Sequence, residues 1–165
     1  MNLFYIESSP RGAAQALCDK HVPKMTLETA QMLSTAVHRH LSPPNATVFP
    51  HIYRPAYLHH PSTQWVGENL SQYVWAYALF RALCDEFEFR FGKPHKSSAL
   101  VHYLGSFEVI TQIPQGEFDA PPQCMPEQYH QIDTMKAYRD YYRGDKMYFA
   151  KWERGREAPA WVYDA

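Results

Sequence analysis

Six polar side chains, His21, Lys24, Glu28, Gln31, Thr35 and His38, recur at steps of three and four residues. On a helix that spacing aligns them along one face. At about 100° per residue the line runs beside the apolar stripe of Met25, Met32, Leu33 and Ala36, not opposite it. Side chains there are expected to be half-buried, in a setting that shifts pKa values and holds groups in place. Within the first two turns, a histidine, a lysine and a carboxylate are a proton donor, a cation and a general base. The plainer use of the same residues is an i,i+4 pair between Lys24 and Glu28, with His21 capping or packing. A third use is an internal polar network that fixes helix packing.

A second group lies between Met135 and Arg156. Lys136, Arg139, Arg143, Lys146, Lys151, Arg154 and Arg156 oppose Asp140, Asp145 and Glu153, a local net charge of 7 − 3 = +4. Tyr138, Tyr141, Tyr142, Tyr148, Phe149 and Trp152 are interleaved with them. Cations for phosphates and rings for bases suit a nucleic-acid or nucleotide surface. On that reading Arg139, Arg143, Lys146 and Lys151 hold phosphates, while Tyr138, Tyr142 and Trp152 stack on bases. The alternative places the aromatics in the core and the cations on the opposite face. Lys93 and His95, in the GKPHK stretch, are further phosphate candidates, and His60 to Glu68 opens a helix whose dipole favours an anion. His38, His40, His51, His59 and His60 are close in sequence, but no cysteine joins them and no HExxH spacing occurs, so no metal site and no cofactor is expected.

The elements that must position these groups are helical. Ser9 and Pro10 start a helical pattern that runs to about residue 40, with a kink or break expected near Val22 because of Pro23. Val66, Leu70, Tyr73, Tyr77, Phe80, Cys84, Phe87 and Phe91 form the seam of one long central amphipathic helix, capped by Ser62 or Thr63 and stopped at Gly92. A short helix is expected from Ser97 to Leu104, ended by Gly105. Asp133 caps another through TMKAYRDYYR, which Gly144 interrupts, and DKMYFAKWE resumes the pattern. Residues 2–6 read as a strand or extended segment, and the tail APAWVYDA as extended. Residues 41–61 and 106–130 read as Pro-rich loops, the second with one β-favouring run, FEVITQI. The fold expected is a mainly α, compact helical domain covering residues 1–165.

The chain has 165 residues, of which 45% are apolar and 20% charged, a globular composition. Its net charge of −1 lacks the overall basicity of duplex-binding proteins, so any nucleic-acid role rests on a local patch. Cys18, Cys84 and Cys124 read as reduced thiols of a cytoplasmic protein, and no run is long and apolar enough for a membrane span.

The run from Cys18 to Met25, with Glu28 and Ala30-Gln31, resembles the signature of a group of small proteins common in bacteriophage genomes. The resemblance extends to His60-Pro61, Trp65, RFGKPHK, Met125-Pro126, AYRDYY and the final Lys-Trp. More distantly, Asp19, His21, Val22 and Glu28 are similar to a pattern of the phage pyrimidine-dimer DNA glycosylases usually called endonuclease V. That likeness implies a compact helical fold, a catalytic role for Glu28, and attack on the sugar carbon by the chain's own α-amino group. In that family the amine is exposed by removing the initiator Met before a small residue. Asn2 is too large for that removal, which assigns the amine to Met1 here, and this chain also lacks that family's basic character.

Two functions are therefore expected from the sequence. The first is a phage-type enzyme acting on DNA or nucleotides at a base–sugar or modified-base position, in the host cytoplasm, with Glu28, His21 and Lys24 at its centre. The second is a non-catalytic phage protein that binds a nucleotide or a host factor.

Overall fold

The computed structural model describes residues 1–41 and 47–164. Seven α-helices and no strand occur among them. They are α1 (Pro10–Ala16), α2 (His21–His40), α3 (Pro61–Val66), α4 (Leu70–Phe91), α5 (Val101–Leu104), α6 (Phe107–Ile110) and α7 (Thr134–Asp145). The architecture is mainly α, as the apolar periodicity predicts. α2 and α4 pack on each other at the centre, with α1 against α4 and α3 against α2. Met25, Met32, Leu33 and Ala36 of α2 meet Tyr73, Phe80, Leu83 and Phe87 of α4 in one core that also takes in Leu3, Ile6, Tyr138, Tyr142 and Trp161.

The starts and stops follow local chemistry. The Ser9 side chain accepts the Gly12 amide, with Pro10 at the first helical position of α1. Asp133 accepts the Lys136 amide at the start of α7. Gly92 ends α4 with φ +68°, in the left-handed region where glycine carries no Cβ penalty.

Several expectations are corrected. The central helix is two helices, because Gly67 and Asn69 intervene. The Asn69 side chain accepts the Gln72 amide and caps α4 afresh. α3 is capped by His60, whose Nδ1 accepts the Ser62 amide, and not by Ser62 or Thr63. At Gly67 a Cβ would come within 3.2 Å of the Ala36 Cβ, so the missing side chain lets this turn press against α2. The break before α2 covers residues 17–20 and lies upstream of Val22. The Cys18 carbonyl accepts the His21 and Val22 amides, and Pro23 sits in the first turn, where its missing N–H is not needed.

Residues 2–6 are irregular rather than a strand, and Phe4 has φ +46°. FEVITQI begins with the short helix α6. Gly144 stays inside α7, where a Cβ would collide with the Tyr129 ring whose hydroxyl donates to Asp145. DKMYFAKWE does not resume a helix: Phe149 packs on His21, while the Trp152 indole N–H donates to the Ala16 carbonyl. The two rings serve different helices, and the backbone leaves the helix in a turn over residues 146–149. Much of the tail forms a 3-10 turn, Ala160–Tyr163. The Ser97–Leu104 helix is a 3-10 turn, Lys96–Leu100, continuing into α5. Part of the Pro-rich 41–61 loop, residues 42–46, lies outside the described residues.

Candidate functional site

Glu28 lies on the second turn of α2, 15% exposed. Its Oε2 accepts the Asn2 amide at 3.1 Å and is 3.9 Å from the α-amino nitrogen of Met1. Its Oε1 is 3.9 Å from Lys24 Nζ, one helical turn earlier. The Asn2 side chain ties the N-terminal segment to the loop at Cys124, its amide donating to the Cys124 carbonyl at 2.9 Å while its Oδ1 accepts the Phe4 amide at 2.8 Å. The positive φ of Phe4 aims its ring at His21, with centroids 4.7 Å apart in a stacked pair.

These groups enclose a cavity of about 190 Å³, lined in part by Met1, His21, Lys24, Glu28, Tyr141 and Lys146. Three cations, the Met1 ammonium, Lys24 and Lys146, thus share a cavity with one carboxylate in a chain whose net charge is −1. Such a cavity attracts an anionic or electron-rich ligand and places a proton acceptor beside an amine.

His21 is 4% exposed. Its Nδ1 lies 2.9 Å from the Tyr142 hydroxyl, and Phe149 meets its ring edge-on at 5.2 Å. Burial, aided by the nearby ammonium groups of Lys24, Lys146 and Lys20, lowers its pKa to about 3. The imidazole is therefore neutral at pH 7, and any hydrogen it offers comes from a neutral ring.

The structure brings together His21, Lys24 and Glu28, and adds only Lys146 from the expected phosphate contacts. Arg139 is committed elsewhere: its guanidinium donates to the Ile6 carbonyl and pairs with Glu7, both at 2.8 Å. Arg143 donates to the Trp161 carbonyl at 2.7 Å and pairs with Asp140. Both arginines bind the chain's own termini to α7. Lys151 pairs with Glu153 at 3.5 Å, away from the cavity. Lys93 is exposed after α4, and His95 caps the Lys96–Leu100 turn by accepting the Ser97 amide.

Base stacking by Tyr138 and Tyr142 is corrected by their burial, since both are 0% exposed and no base can reach them. Trp152 is half-buried, with its N–H on the Ala16 carbonyl. The rings of Tyr141 and Phe4, stacked on each other, do line the cavity, with Lys146 Nζ 4.4 Å over Tyr141. Its neighbours in α7 have the same composition, and only the helix phase separates it from them.

The second half of the polar stripe leads away from the cavity. Thr35 and His38 line a groove of about 660 Å³ between α2, α3 and residues 55–58, and the His38 Nε2 meets the Tyr53 carbonyl at 3.1 Å. The helix dipole does not create an anion site at the start of α2. The His21 and Val22 amides are already bonded to Cys18, and Pro23 has none.

The loop leading into α2 is held by a buried charge cluster. Arg90, with a fully buried side chain, donates to Glu86 (2.7 Å), the Leu17 carbonyl (2.8 Å), the Gln15 carbonyl (2.9 Å) and Asp19 (3.0 Å). Arg156 adds two bonds to Glu86 at 2.8 and 2.9 Å. Burial pushes the Glu86 carboxyl up, but the bonds from Arg156 and Arg90 outweigh it and hold the group below the usual carboxylate range. Asp19, part of the sequence resemblance, thus serves this clamp rather than the cavity. No cluster of His, Cys, Asp and Glu suited to a metal ion occurs among the described residues, no described helix is long and apolar enough to cross a membrane, and the three cysteines are free.

No protein-family model, no curated protein and no solved structure matches this chain.

Proposed function

We propose that this chain is an enzyme of the DNA glycosylase type, acting on DNA or a nucleotide at a base–sugar bond. One observation carries the reading: the Glu28 carboxylate lies 3.9 Å from the α-amino nitrogen of Met1, at the wall of a small polar cavity rimmed by lysines. An amine beside a carboxylate is a nucleophile beside its base. Glu28 takes a proton from the ammonium, and the freed lone pair attacks the sugar carbon. As that bond forms, the carbon–nitrogen bond to the base breaks, with its electron pair leaving on the base. The sugar carries partial positive charge in that step; Glu28, now a neutral acid, then gives its proton to the sugar ring oxygen as the ring opens to an imine.

The cavity's size supports a polymeric or extended substrate. Pockets that enclose a whole small molecule measure roughly 300–1,000 Å³. At about 190 Å³ this one takes a single sugar or base and leaves the rest outside, against Lys24 and Lys146. In a duplex the reacting unit would have to be flipped out to enter it, and Tyr141 is the ring positioned to meet it.

The test is borohydride trapping on duplexes carrying a pyrimidine dimer, an abasic site or a modified base, with free nucleotides in parallel. The expected result is a covalent protein–DNA adduct on the peptide that begins at Met1, formed by wild type and lost in Glu28→Gln. Equal behaviour of wild type and Glu28→Gln on every substrate would refute the assignment. Nucleotide binding without turnover would instead favour the non-catalytic role.

A further inference from the structure

The Tyr142 hydroxyl has one proton to donate and two neighbours that limit where it goes. It accepts the Cys18 backbone amide at 3.0 Å, and at 2.9 Å it faces His21 Nδ1. A backbone N–H can only donate, so that contact uses one of the oxygen's lone pairs. The remaining acceptors are His21 Nδ1 and the Cys18 thiol, which lies close enough to influence the tyrosine. Sulfur is a weak acceptor and an imidazole nitrogen a strong one. The hydroxyl proton therefore belongs on the line to Nδ1. A neutral imidazole that accepts at Nδ1 carries its own hydrogen on Nε2.

The ring has no freedom to do otherwise. Phe4 stacks on one side at 4.7 Å, Phe149 closes from another at 5.2 Å, and Tyr142 meets the ring edge-on at 5.3 Å. Nε2 has no hydrogen-bond partner among the described residues, although His21 lines the cavity that holds Glu28. The charged groups facing the ring are Lys20, Lys24 and Lys146, with Glu28 and the Met1 amine across the cavity. All three lysines oppose a second proton on it.

We propose that His21 is a fixed hydrogen-bond donor, its hydrogen held on Nε2 by the Tyr142 hydroxyl and offered to an uncharged oxygen or nitrogen on the leaving base. This inference rests on the glycosylase reading for its substrate, but not for the tautomer. The hydrogen bond stabilises the electron pair that departs with the base, and no proton is transferred. A base with a carbonyl oxygen or ring nitrogen next to the glycosidic bond fits this donor. A phosphate is held instead by Lys24 and Lys146. Tyr142 is a positioning residue, since it acts only through His21.

Nitrogen-15 labelling of the histidines tests the tautomer without any substrate. The expected spectrum of the intact protein shows His21 neutral, with hydrogen on Nε2, unchanged from pH 5 to 8. Hydrogen on Nδ1, or an imidazolium at pH 6, overturns the proposal. Turnover then tests the donor. His21→Gln, whose amide can place an N–H near Nε2, is expected to keep activity within about tenfold, while His21→Phe loses about a hundredfold in kcat with KM little changed. Equal losses in the two variants overturn the donor role. Tyr142→Phe is expected to add the Nδ1–H form to the His21 spectrum, and an unchanged spectrum overturns the positioning role. If that variant does not fold, the wild-type spectrum and the two His21 variants still decide the matter. No activity in any protein, combined with the predicted tautomer, counts against the glycosylase reading and leaves the His21 geometry standing.

Discussion

Replacing Arg90 with Met removes the centre of the cluster that joins α1, the loop before α2, α4 and the C-terminal segment. Arg90 makes two carboxylate and two carbonyl contacts, all at 3.0 Å or less. Removing one partner of a buried charged network costs about 3–5 kcal/mol, because the others stay buried without it. Glu86 keeps Arg156, and Asp19 keeps the Glu153 amide at 2.7 Å, which pulls the estimate toward the lower end. The Leu17 and Gln15 carbonyls are orphaned and add roughly 1 kcal/mol each. The expected loss at pH 7 is thus about 3–5 kcal/mol. With a urea slope of about 2 kcal/mol/M, the midpoint falls by roughly 1.5–2.5 M.

The sign with pH follows from Glu86, whose carboxyl is held below its ordinary value by Arg156 and Arg90 against the cost of burial. Its contribution is fully present above the unfolded value, about 4.3, and is lost as pH falls through the folded value. Urea melts of wild type and Arg90→Met at pH 7 should therefore differ more than melts at pH 3.5. A difference below about 1 kcal/mol at pH 7, or one that widens in acid, would show that the cluster does not hold this end of the protein.

Three further outcomes follow from the same geometry. Lys146→Ala should weaken DNA binding and reduce its salt dependence by about one counterion, whereas Arg139→Ala should leave that slope alone and lower stability; titrations at several salt concentrations separate the two. Gly144→Ala should cost about 1–3 kcal/mol through overlap with the Tyr129 ring, and much less in a Tyr129→Ala background, as a double-mutant cycle in urea would report. Because the pKa of His21 is lowered to about 3, the unfolded chain binds a proton below about pH 6.5 that the folded chain refuses. Wild-type stability should then fall as pH drops from about 6.5 toward 3, and His21→Gln should flatten that part of the curve in thermal melts.

The helical class and several helix ends were legible because each depends on neighbours in the chain. Ser9, Asp133 and Gly92 act within a few residues of where they stand. The first half of the polar stripe was legible for the same reason, since helical spacing alone places His21, Lys24 and Glu28 together. The fate of the cations was not. Composition makes Arg139, Arg143 and Lys146 equivalent, but two of them meet carbonyls and carboxylates that come from the far ends of the chain. Nor does any local pattern reveal that Met1 faces Glu28, or that Arg90 lies beneath Leu17. Arg90 and Leu17 are 73 residues apart, and Met1 meets Glu28 from outside any helix, so helical spacing foretells neither contact.

That separation has a consequence for biosynthesis. Glu28 and Met1 are made early, but the wall that carries Tyr141 and Lys146 is made late, and the segment that Arg143 binds to α7 includes Trp161. At translation rates of about 5–20 residues per second, the interval between Glu28 and Lys146 is on the order of ten seconds. Throughout it the amine and its carboxylate are exposed on an unfinished chain, with His21 neither sheltered by Phe149 nor oriented by Tyr142. The wall of the cavity is therefore completed only after Lys146 has been made, long after Glu28.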